Sequence, residues 1–134
     1  MAKLVEFGND RIEVVSNDQL ATKLRAEGWY LTDSPHKIWI KNGEAVVLDV
    51  PVAKLVARPG EPFEGVETAV PRKIASIKNV WATGWALPIP EGVLLDNGVV
   101  QITDGRHRVV SKMSMGHDRV LVIVANDSNL EQLR

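Results

Sequence analysis

The residues best suited to chemistry stand together as Asp104-Gly105-Arg106-His107-Arg108. Before them, Val99-Val100-Gln101-Ile102-Thr103 is rich in β-branched residues and reads as a strand; after them, the chain to about Met115 reads as a helix, with Gly116 as its stop. A glycine turn that opens a helix offers unpaired backbone N–H groups and the positive end of the helix dipole, and both favour an anion. Arg106 and Arg108 carry forked donors that match phosphate oxygens. His107 can donate a hydrogen bond or move a proton near neutral pH, which makes it the candidate catalytic acid or base. Asp104 has three readings: an Asx turn, an orienting partner for His107 or Arg106, or a water-mediated holder of Mg²⁺. The pattern points to a phosphate site, although an ordinary strand–turn–helix with solvated basic residues has the same spacing.

A second source of phosphate donors lies on the helix expected to begin at Pro71 and end at Gly84. Ile74, Ile77, Val80 and Trp81 recur at helical spacing and predict one buried stripe, and Lys73 and Ser76 share a face off that stripe. Further elements must hold these two segments together. Residues 11–16 read as a short strand, Asn17 or Asp18 as a helix cap, and Leu20, Ala21 and Leu24 as the buried face of a helix stopped by Gly28. Residues 37–41 alternate as a strand into an Asn42-Gly43 hairpin turn, and residues 45–50 form the apolar, central returning strand. Residues 51–56 predict a short helical or extended turn, and residues 57–65, with two prolines and two glycines, a loop. A hairpin follows, with strands at 93–95 and 99–103 about the turn Asp96-Asn97-Gly98, and then an apolar strand at 119–125. Val109, Val110 and Met113 form the expected core face of the helix between them, and residues 126–134 a short helix or tail.

With 134 residues the chain suits one domain and one core. A formal net charge of −1 disfavours a general nucleic-acid coat and leaves a local basic patch as the only route to DNA. The absence of cysteine excludes thiol catalysis, disulfides and thiolate metal sites. No apolar run reaches the ~18 residues of a membrane span, so the expectation is a cytoplasmic protein without a membrane partner. His36 and His117 show no metal-ligand spacing, and no metal site is assigned. Three of the four tryptophans need no reading beyond the core; Trp85, in a connector after Gly84, is a candidate for contact with a base or a protein.

Three segments carry a resemblance to the ParB/sulfiredoxin superfamily. Leu48-Asp49-Val50-Pro51-Val52-Ala53-Lys54-Leu55-Val56-Ala57-Arg58-Pro59 resembles the sulfiredoxin stretch in which Asp-Val-Pro is followed by Ile-Arg-Pro. Pro71-Arg72-Lys73-Ile74-Ala75-Ser76 resembles the Pro-x-Lys-x-x-Ser helix start whose Lys and Ser touch ATP phosphates. Gly105-Arg106-His107-Arg108 stands where sulfiredoxins have Gly-Cys-His-Arg and ParB proteins Gly-Glu-Arg-Arg. The resemblance covers residues 45–125 and implies an α+β fold with a mixed sheet and helices packed on it, preceded by an N-terminal β-α-β extension over residues 1–43. It implies a phosphate site of Arg58, Lys73, Ser76, Gly105, Arg106, His107 and Arg108. Arg106 replaces the sulfiredoxin nucleophile, so peroxiredoxin repair is excluded. The glutamate of ParB is also replaced, and the helix-turn-helix that follows it in ParB proteins is not expected here.

The reading that follows is a domain from a plasmid or phage context that binds a nucleoside triphosphate, ATP or CTP with Mg²⁺ as companion. Its chemistry would be nucleotide hydrolysis or cleavage of DNA phosphodiester bonds. The alternative is a non-enzymatic interaction or inhibitor protein on a degenerate ParB-like scaffold, supported by the lost nucleophile and the tryptophan-rich connector.

Overall fold

A computed structural model describes residues 11–31, 45–58, 61–62 and 71–125. The expected strand at 37–41 with its hairpin turn, most of the 57–65 loop and the 126–134 segment lie outside the described residues. The fold is α+β. A mixed sheet has the order β1 (Glu13–Val14), β3 (Ala45–Pro51), β9 (Arg119–Ala125), β7 (Glu91–Leu94), β8 (Val100–Asp104), β4 (Leu55–Arg58), β5 (Glu61–Pro62). A small parallel pair joins β2 (Trp29–Tyr30) to β6 (Leu87–Pro88). Three α-helices accompany them: α1 (Asn17–Glu27), α2 (Pro71–Ala82) and α3 (Arg106–Ser114).

The sheet is built on its two most apolar segments. β3 and β9 pair antiparallel along their full length, from Ala45 opposite Ala125 to Pro51 opposite Arg119. Leu48, Val50, Val122 and Val124 are buried on one face and Val47, Leu121 and Ile123 on the other, as a strand pair covered on both faces requires. β7 and β8 form the expected hairpin, but the first strand begins at Glu91, two residues before the expected start. Gly92 allows this extension, because a Cβ there would lie 2.7 Å from the Gln101 carbonyl oxygen.

Three expectations need correction. Residues 55–58 are not a turn leading into a loop: after a 3₁₀ turn over Val52–Lys54 they form β4, parallel to β8. The buried side chains of Leu55 and Val56 draw this short apolar run into the sheet. The α2 stripe of Ile74, Ile77, Val80 and Trp81 is half-buried, since α2 lies on the outside of α3 and has no fully buried residue. On α1, Ser16 rather than Asn17 or Asp18 takes the N-cap position, and Ala21 is exposed.

The N-terminal segment is part of the same core. β1 extends the sheet as an antiparallel neighbour of β3, and Leu24 and Trp29 enter the hydrophobic core. A polar staple fixes this edge: Arg119 donates from Nε to Asp49 Oδ1 at 2.9 Å and from Nη2 to the Arg11 carbonyl. Gly28, with φ of 79°, ends α1 and turns the chain into β2.

Candidate phosphate site at the β8–α3 turn

β8, an interior strand, ends at Asp104, and Gly105 turns the chain into α3 with φ of 95° and ψ of 22°. Glycine is required there twice over. The conformation is left-handed, and a Cβ would sit 3.0 Å from Pro90 Cα and 3.0 Å from Arg108 Nη2. The turn opens onto a concavity of about 460 Å³. Residues 103–108 form one wall of it, and Ala57 of β4, Ile77 of α2 and Ile102 of β8 supply apolar surface. The sequence segments expected to meet, β4, α2 and the glycine turn, therefore converge on one hollow.

Arg106, His107 and Arg108 occupy the first turn of α3, which has no acidic residue. Cations at this end oppose the helix dipole, each at roughly 0.3–1 kcal/mol when exposed, so the arrangement works against the helix rather than for it. His107 records that field. Partial burial lowers its pKa below the ordinary histidine value, and the positive charges of Lys73 and then Arg106 lower it further. Lys73, exposed on α2, thus acts on the same group as Arg106 of α3.

The remaining expected residues are placed differently from one another. Arg108 lines the hollow, but its terminal nitrogens hold protein acceptors: Nη2 bonds Asp104 Oδ2 at 3.1 Å, and Nη1 donates to the Pro88 carbonyl. It clamps the turn to β6 while lining the hollow. Asp104 has Arg108 as its partner rather than a backbone N–H of an Asx turn. Ser76 is exposed on α2 and is not among the residues that line the hollow. Arg58 ends β4 next to the lining residue Ala57; its side chain lies outside the described residues.

Two buried charged residues went unselected on sequence. Glu91 is 3% exposed and stands opposite Asp104 across the β7–β8 register, so a carboxylate lies one strand behind the cationic turn. Its only sequence signal is an acidic residue between Pro90 and Gly92 at the head of an apolar strand. Lys112, in the last turn of α3, is also buried. Its Nζ donates to the Glu27 carbonyl and lies 3.8 Å from Glu27 Oε1 and 4.3 Å from the centre of the Trp81 ring. Burial lowers the Lys112 pKa, and Glu27 opposes that shift.

Among the described residues, no group of three or more His, Asp and Glu side chains is arranged to hold a metal ion. No helix among them is long and apolar enough to cross a membrane. No protein-family model matches the chain, and no curated protein or solved structure matches it. Function must therefore be argued from the site itself and from the motifs in the sequence.

Proposed function

We propose that the β8–α3 turn binds the phosphate groups of a nucleoside triphosphate, ATP or CTP, on a ParB/sulfiredoxin-like domain. The observation that carries this reading is the hollow itself. Arg106 and His107, beside an Arg108 already paired with Asp104, crowd the positive end of a helix next to a left-handed glycine, and the charge of Lys73 bears on His107 as that of Arg106 does. A fold gains nothing from that crowding unless an anion relieves it. The anion would accept backbone N–H groups of the first turn of α3 and face the charges of Arg106 and Lys73, while Arg108 and Asp104 hold the turn in shape.

The same geometry supports phosphoryl chemistry. His107 is held below the ordinary histidine value, so it is neutral at pH 7 and can accept the proton of an attacking water. Arg106 and Lys73 would neutralise charge on the phosphoryl oxygens as the bond to the leaving group breaks. Asp104 is the one carboxylate among the described residues that line the hollow. Asp104, the carboxylate expected to hold the ion through water, is paired with Arg108, so any Mg²⁺ would come on the oxygens of the triphosphate. Cleavage of a DNA phosphodiester is the variant of this chemistry that uses the same residues.

Isothermal calorimetry with ATP, CTP and GTP tests the proposal. Binding of one of them, weakened by Arg106→Ala in a protein that still folds, supports it. No heat and no thermal shift at millimolar nucleotide removes it.

A further inference from the structure

The other end of α3 carries a second cavity, of about 660 Å³, enclosed by the C-terminal ends of α1, α2 and α3 and by β2. Its floor is aromatic. Trp29 and Trp81 meet edge to face with ring centres 5.3 Å apart, and Trp81 Nε1 donates to the Gly28 carbonyl at 2.9 Å. Lys112 lies over both rings and donates to the Glu27 carbonyl, so its charge is held inside the floor.

Its rim is the opposite. Among the described residues six large hydrophobic side chains are exposed, and four of them, Tyr30, Leu31, Trp85 and Met115, line this one cavity. Trp85 is 73% exposed. Scattered apolar residues on a surface are ordinary, but apolar residues gathered around one concavity mark a contact site. The composition is also that of an interface centre: Trp, Tyr, Met and Arg are the residue types enriched there. Charge chooses among occupants. Glu27 is spent on Lys112 and His117, whereas Arg25, exposed on the last turn of α1, has no ion-pair partner among the described residues. The lining is left with one uncompensated positive charge beside an aromatic hollow.

The geometry points to a docking site for an acidic segment of a partner protein, which inserts one large apolar side chain between Trp81 and Trp85 and sets a carboxylate against Arg25. This inference is independent of nucleotide binding, since the two cavities share no lining residue.

The test is selection from a random dodecapeptide library displayed on phage, using the full chain as bait, with Trp85→Ala and Arg25→Glu as parallel baits. Both changes are at exposed positions, and unchanged thermal melting confirms that each variant is folded. The expected result is a set of peptides with one aromatic or large aliphatic residue flanked by Asp or Glu. Trp85→Ala should lose about tenfold or more of their affinity, and Arg25→Glu should favour basic flanks instead. In a titration of ¹⁵N-labelled protein the selected peptide should move the indole N–H signals of Trp81 and Trp85 and leave His107 in place. Enrichment that is equal on the Trp85→Ala bait overturns the inference, as does a set of peptides without acidic residues. So does self-association of the chain through this face, or occupation of the cavity by small aromatic carboxylates but by no peptide.

Discussion

The two ends of α3 treat positive charge in opposite ways. At its C-terminal end Lys112 is buried, yet every feature around it compensates: the helix dipole favours a cation there, Glu27 offers a carbonyl and a carboxylate, and two indole faces lie beneath it. At its N-terminal end Arg106 is half-buried with the dipole against it, and the charges of Arg106 and Lys73 both bear on His107. The difference separates a cation that holds the fold together from cations that wait for something. A structural charge comes with its counterparts in the chain; a binding charge lacks them until the ligand arrives.

The comparison breaks first, and most visibly, at Lys112. Lys112→Ala should destabilise the protein by about 2–4 kcal/mol, because it empties space against two tryptophans and leaves the half-buried Glu27 carboxylate without its cation. A urea titration reads this, and nucleotide affinity of the folded fraction should not change. Gly105→Ala comes next, at about 1–2 kcal/mol for the left-handed conformation alone, with loss of nucleotide binding as the turn shifts away from Pro90. Arg106→Ala should be neutral or stabilising by up to about 1 kcal/mol, since it removes a cation from the wrong end of a helix, yet it should weaken nucleotide binding about tenfold. Calorimetry and thermal melting on the same sample show whether stability and binding move in opposite directions.

The smallest effect is that of pH. His107 binds its proton less tightly in the folded chain than in the unfolded one. Above about pH 6.5 both states leave it neutral and it has no effect; below that value the unfolded chain takes up the extra proton and gains. Stability should therefore fall as the solution is acidified through the ordinary histidine range. His107→Gln should reduce that acid slope slightly, which urea midpoints at about pH 7.5 and about pH 5.5 would show.

Much of this arrangement was legible in the sequence because it is local. Pro71 and Gly84 bracket α2, the apolar runs of β3 and β9 announce a covered sheet, and Asp104-Gly105 marks the turn with three basic residues behind it. What escaped is non-local. Leu55-Val56-Ala57 is too short to be told from a helical turn until β8 lies beside it. Lys112 reads as an ordinary surface lysine because Glu27 and Trp29 are more than 80 residues away in the chain. The clamp that Arg108 forms escaped because its acceptor, the Pro88 carbonyl, is a backbone group that no side-chain pattern reveals.

The central claim is that an anion completes the cationic turn, and the proton of His107 reports it. In an NMR titration of His107 the midpoint should lie below about 6.5 in the free protein and rise when saturating ATP or CTP is present, because the phosphate charge offsets Lys73 and Arg106. A midpoint that stays where it was, with either nucleotide at millimolar concentration, contradicts the account.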